Sequence, residues 1–127
     1  MGEMRMPSIG IDLIEISRVK RSMENRSFLD KILGPNEHVE LEKRNFIAQS
    51  VAVNFCAKEA FLKAMGIGLG KVKLAEIELL REKSGKPYLK LSGKARELAE
   101  KENLDFSVSA THTENYANVV VLAYNSQ

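Results

Sequence analysis

The sequence predicts an α+β fold, an antiparallel sheet packed on one long helix. Three observations carry the prediction. The run from Phe46 to Met65 is mostly apolar, long enough for a helix of several turns, and stopped by Gly66. Ser8 to Ile16, near the start, alternates apolar and small or acidic residues as a strand does. Beyond the long helix, pairs of apolar runs are joined by the short turns Ser84-Gly85-Lys86 and Thr111 to Asn115.

Taken in order, Ser8 to Ile16 reads as a strand that carries an acid, with Gly10, Asp12 and Glu15 among its apolar residues. Ser17 is the expected N-cap of a basic helix through Arg18, Lys20 and Arg21. Gly34-Pro35 breaks the chain, and Pro35 suits the first turn of a second helix through Glu37, Leu41 and Arg44. Asn45 is the expected cap of the long helix. Within that helix Phe55, Glu59 and Leu62 follow 3.6-residue spacing, which sets Glu59 beside core residues and off the solvated face. Gly66-Ile-Gly68-Leu-Gly70 reads as a flexible loop. Glu76 to Arg81 and Pro87 to Leu91 are the next strands, Ser92 caps a short helix to about Glu102, and Phe106 to Ala110 and Tyr116 to Tyr124 complete the sheet.

A chain of 127 residues is expected to form one domain, 1–127, with a core but no deep two-lobed cleft. Its net charge of +2 gives no ground for nucleic acid as a partner. No apolar run approaches a bilayer span, and Met1 to Pro7 lacks the apolar centre of a secretion signal. The lone Cys56 can form no internal disulfide and reads as a small buried hydrophobe, so the cytoplasm is the expected compartment.

Two carboxylates stand among apolar residues. Alternation puts Asp12 on one strand face with Gly10 and Ile14, where it either pairs with Arg18 or a neighbouring lysine or binds a metal. Glu59 either pairs with Lys58, or with Lys63 one turn on, or joins Asp12 as a metal ligand. Two carboxylates from separate elements are what Mg²⁺ usually takes from a protein, with waters and phosphates completing its shell. Zinc is disfavoured, since the chain offers only His38, His112 and Cys56. His112, in a turn between Thr111 and Thr113, either faces solvent or donates with those hydroxyls to phosphate oxygens. The glycines at 66, 68 and 70 follow a helix where phosphate loops precede one, so they read as a C-cap and connection. Arg18, Lys20, Arg21, Arg26 and Lys31 crowd one region around Met23, Phe28 and Leu29, a contact surface for an acidic partner.

Gly10-Ile-Asp12-Leu-Ile-Glu-Ile-Ser-Arg18, Phe55-Cys-Ala-Lys-Glu-Ala-Phe-Leu-Lys63 and Val108-Ser-Ala-Thr-His112-Thr, with Gly85-Lys86-Pro87-Tyr88 between the last two, resemble one family. It is the small bacterial holo-acyl-carrier-protein synthases of the 4′-phosphopantetheinyl transferase superfamily, and the likeness runs through nearly the whole chain. The resemblance implies Mg²⁺-dependent transfer of phosphopantetheine from coenzyme A to a serine of apo acyl carrier protein, releasing adenosine 3′,5′-bisphosphate, in the service of fatty acid biosynthesis. By position it implies Asp12 and Glu59 as metal ligands and, with Lys63 on the transferring phosphate, as the catalytic set. It implies Thr111 and His112 on coenzyme A phosphates and Lys86 with Pro87 near the adenine. Arg18, Arg21 and Arg26 would dock the carrier's acidic helix, and the family's trimer would place the site at subunit interfaces.

Two positions depart from the family's habit. Asn54 stands where arginine is frequent, which removes a possible phosphate or subunit contact, and Phe55 stands where tryptophan is frequent. Two competing readings need the same residues: a different Mg²⁺-dependent phosphotransfer or hydrolysis on a small nucleotide, and a carrier-binding module whose acids are structural ion pairs.

Overall fold

A computed structural model describes residues 6–126. Most of the Met1 to Pro7 segment, expected not to be a secretion signal, lies outside them. Strand β1 (Ser8–Glu15) leads into three helices, α1 (Ile16–Ser22), α2 (Ser27–Ile32) and α3 (Pro35–Glu42), and then the long α4 (Ala48–Met65). After a 3-10 turn at Leu74–Glu76 come β2 (Ile77–Arg81), β3 (Pro87–Leu91), α5 (Gly93–Lys101), β4 (Leu104–His112) and β5 (Tyr116–Asn125). The α+β expectation holds, with the strands divided between two antiparallel sheets, β1-β5-β4 and β2-β3. No helix of the described residues is long and apolar enough to cross a membrane.

Helix α4 is the axis of the molecule. Val51, Ala52, Cys56, Ala57, Ala60, Phe61 and Ala64 are all buried, because strands cover it on more than one side. Its small side chains allow close approach. Gly10 of β1 lies so near that a Cβ there would overlap the Ala60 carbonyl and stand 2.5 Å from the Ala64 backbone nitrogen. Ser8 adds a hydrogen bond, Oγ donating to the Ala64 carbonyl at 2.7 Å. At its end Gly66 takes φ 70°, the left-handed cap expected of it.

Several boundaries move, each for a local reason. Helix α1 begins at Ile16 with Glu15 as N-cap, so Ser17 caps nothing. Helix α2 occupies the region read only as a basic cluster. Asn45 does not cap α4; Asn45 and Phe46 are both left-handed (φ 57° and 49°), and Ile47 takes the N-cap position. Strand β4 runs through His112, so Thr111 and His112 end a strand and do not sit in the turn.

A buried polar cluster ties α3 and β2 to α4. Lys58 is fully buried and donates to Glu37 Oε1 at 2.6 Å, to the Leu74 carbonyl at 3.1 Å and to the Ile77 carbonyl. Glu37 also accepts from the backbone N–H of Gly34 and Leu79 and from Asn54 Nδ2, each at 3.0 Å. Burial pushes Glu37 up and Lys58 down. Even so, three acceptors around Nζ require three N–H groups, and four donors around Glu37 require both oxygens bare, so the pair is ionised. Asn54 belongs to this cluster and also donates to the Leu79 carbonyl at 3.1 Å. Position 54 therefore faces the core, and its identity bears on packing, not on a ligand surface as the sequence suggested.

Removing one partner would strand a buried charge. Lys58→Met is expected to lower the unfolding free energy by about 3–5 kcal/mol in urea titration. Glu37→Gln combined with Lys58→Met should recover part of that loss, because neither charge is left alone.

Candidate functional site

The close approach at Gly10 delivers Asp12 to α4. Two residues on from Gly10, Asp12 shares its face of β1 and reaches Lys63, whose Nζ lies 3.2 Å from Oδ1 and donates to the Ile11 carbonyl at 3.0 Å. Lys63 thus pairs with the strand's acid across 51 residues and not with Glu59 one turn away. Lys58, the other expected partner of Glu59, is committed to Glu37.

Glu59 forms no ion pair among the described residues, although the Asp12 and Lys63 charges act on it. Phe55, Glu59 and Lys63, spaced by one helical turn, are among the few α4 positions left accessible. Glu59 is accordingly half-buried and opens, with Asp12, into one cavity of about 340 Å³ that Arg18, Phe28 and Phe55 also line. Partial burial and the Asp12 charge raise the Glu59 carboxyl above its ordinary range, and Lys63 offsets part of that. Behind Asp12, Cys56 is buried, and burial with the neighbouring carboxylate pushes its thiol up to about 12. It is a thiol at neutral pH, and its expected burial is observed.

Of the three arginines expected to dock a carrier, Arg18 alone lines this cavity; Arg21 and Arg26 are exposed. Pro87, Thr111 and His112 meet elsewhere, in a cavity of about 230 Å³ lined by Arg44, Arg81 and Gly85 as well. Lys86 is exposed at the adjoining turn. Ser50 and Val53 floor this second cavity, while Phe55 and Glu59 wall the first, so the two lie on opposite faces of α4. One chain therefore does not bring the carboxylates and His112 together. Arg81 is held below the usual arginine range by burial and by the Arg44 charge, offset in part by the Glu40 and Glu37 carboxylates. Sequence reasoning missed these two arginines as a pair because they come from the turn after α3 and from β2, 37 positions apart (81 − 44).

Residues 8–120 match the sequence profile of the 4′-phosphopantetheinyl transferase superfamily. The chain belongs to that superfamily. A holo-[acyl-carrier-protein] synthase of Ruminiclostridium cellulolyticum is 44% identical over 114 residues, covering 86% of this chain and 85% of the relative. One from Alkaliphilus oremlandii is 38% identical over 117 residues, covering 91% and 94%. Among solved structures, the Bacillus anthracis holo-(acyl-carrier-protein) synthase in complex with CoA (3′,5′-ADP) superposes with a TM-score of 0.79 at 31% identity, covering 94% of this chain and 96% of that one. The transferase's two cavities are thus placed in a fold whose relatives include a coenzyme A complex.

The raised carboxyl has a stability consequence in the transferase. Glu59 holds its proton more tightly folded than unfolded, so ionising it costs stability. That cost is absent below the ordinary glutamate range and grows as pH rises through the folded value. Glu59→Gln should therefore raise the melting temperature of the ligand-free protein at pH 7–8, with the two proteins converging near pH 4 in differential scanning fluorimetry.

Proposed function

We propose that this enzyme transfers 4′-phosphopantetheine from coenzyme A to a serine of apo acyl carrier protein, with Mg²⁺, in the cytoplasm and in fatty acid biosynthesis, the whole chain acting as one domain. The observation that carries the proposal is the pair Asp12 and Glu59, from β1 and α4, open to one cavity beside Lys63 and Arg18. Among the described residues no group of three or more His, Cys, Asp or Glu could enclose a metal. A carboxylate pair does suit Mg²⁺, which keeps water and takes phosphate oxygens as further ligands. When bound, the ion supplies charge neutralisation on the pyrophosphate.

The chain's own residues supply the rest. The carrier serine oxygen forms a bond to the phosphopantetheine phosphorus as the bond to the leaving adenosine 3′,5′-bisphosphate breaks. Lys63 Nζ, already held toward Asp12, neutralises charge on the phosphoryl oxygens. The serine proton would pass to Glu59, which faces the same cavity as Asp12, or to a water held by the ion. Arg18, with Arg21 and Arg26 beside it, meets the carrier's acidic surface. Arg44, Arg81, Thr111 and His112 hold coenzyme A phosphate, with Pro87 and Lys86 near the adenine.

Because those groups lie in separate cavities of about 340 and 230 Å³, at or below the lower end of the roughly 300–1,000 Å³ of ordinary ligand pockets, a complete site needs a second copy. The outer face of β1 supports this. Ile9, Ile11 and Leu13 are 66%, 56% and 64% exposed, next to Leu122 on β5. An apolar sheet face of this kind asks for a protein partner. We place the subunits of a homotrimer there, with sites shared across interfaces.

Intact-protein mass spectrometry of apo acyl carrier protein with enzyme and coenzyme A should show a Mg²⁺-dependent gain of one phosphopantetheine. Asp12→Ala and Glu59→Ala should each reduce it at least 100-fold. Wild-type turnover by either variant at low Mg²⁺ would end the shared-metal reading, and no gain with several apo carriers would favour a small nucleotide as substrate. Light scattering on Ile11→Glu should show monomer in place of trimer, with transfer lost. A monomeric wild type with full activity would refute the shared site.

A further inference from the structure

Among the described residues strand β1 pairs only with β5 and so lies at the edge of its sheet. An edge strand has no second neighbour to hold it, yet a carboxylate that binds a small, geometrically demanding cation must be held closely. Around Asp12 two side chains from different elements serve that need. Asn118, on β5, donates from Nδ2 to the Asp12 main-chain carbonyl at 2.8 Å. Cys56, from α4, places Sγ 3.1 Å from the same carbonyl and 3.5 Å from Asp12 Oδ2. Lys63 takes the other carboxylate oxygen, Oδ1.

We infer that Cys56 and Asn118 are positioning residues for the metal-binding carboxylate, clamping Asp12 through its main-chain carbonyl from opposite neighbours. Neither touches the reacting atoms. Cys56 lies in the core, one turn before Ala60, where an apolar side chain would fill the space equally well. The difference a thiol makes is its S–H, whose nearest acceptor is the Asp12 carbonyl at 3.1 Å, ahead of Asp12 Oδ2 at 3.5 Å and the Ala117 carbonyl at 3.8 Å. Asn118 shares its face of β5 with Val120 and Leu122 and stands opposite Leu13 of β1, and its side-chain amide also donates to Asp12. Two polar groups in apolar settings converge on one residue. The consequence is a carboxylate whose backbone cannot slide along the strand when Lys63 or a cation pulls on its side chain. The inference rests on the proposed role of Asp12 and Glu59 as the metal pair.

Groups that orient a metal ligand typically contribute 10–100-fold to metal affinity. The test is Mn²⁺ binding to the folded protein in the presence of coenzyme A, read from the electron paramagnetic resonance signal of free Mn²⁺, with melting temperature and oligomeric state measured alongside. Asp12→Ala should abolish tight binding. Cys56→Ala and Asn118→Val should each weaken Mn²⁺ about 10-fold while coenzyme A affinity without metal stays unchanged, and Cys56→Ser, which keeps a donor, should bind close to wild type. Wild-type Mn²⁺ affinity in both Cys56→Ala and Asn118→Val would overturn the inference. So would an equal loss in Cys56→Ser and Cys56→Ala, which would mean that the site needs the volume of sulfur and not its proton. If Asp12→Ala itself bound Mn²⁺ like wild type, the failure would lie with the metal pair and not with the clamp.

Discussion

The contact of Gly10 with Ala60 and Ala64 is the constraint on which the site depends. A strand and a helix usually keep a side chain's thickness between them. Here a glycine against alanines removes that spacer, so the β1 backbone rests on the α4 backbone. Asp12 follows Gly10 on the same face of the strand, and one turn separates Glu59 from Lys63. The close approach therefore decides that Asp12 reaches Lys63 and faces the same cavity as Glu59. A bulkier pair at this crossing would move the carboxylates apart and leave each as an ordinary surface acid.

The rotation of α4 about its axis needs a second constraint, and the Glu37–Lys58 cluster supplies it. Lys58 and Glu59 are consecutive, so they project about 100° apart around the helix. Locking Lys58 among Glu37, Leu74 and Ile77 leaves Glu59 directed at the cavity. The same cluster draws Asn54 inward and ties β2 to the helix, which sets where Arg81 emerges. Buried ion pairs contribute little net stability. In this molecule the cluster's value is orientation: it fixes which face of α4 meets solvent.

Local patterns in the chain are short-range, and they were legible. The strand alternation of Ser8 to Glu15, the proline at the start of α3, the glycine cap at Gly66 and the hairpin at Gly85 each rest on a residue's own backbone preference. The errors arise where a distant group overrides that preference. Asn45 is a good cap by type, but the chain turns through two left-handed residues before α4 begins. Glu59 and Lys63 have the spacing of a helical ion pair, but Lys63 is drawn to Asp12, 51 residues away. Lys58 is by sequence a candidate partner for its neighbour Glu59 and is instead fully buried against a partner from α3.

By itself the sequence determined the fold class and the family, and it singled out Asp12, Glu59, Lys63, Thr111 and His112 as candidates, because these depend on periodicity and on motif spacing along the chain. Only the tertiary structure decided which of those residues share a cavity. Strand β1 and helix α4 bring three of them together, while α4 itself stands between Glu59 and His112. A helix is about 10 Å thick with its side chains, and no pattern within the chain reports on which side of it a distant strand will end.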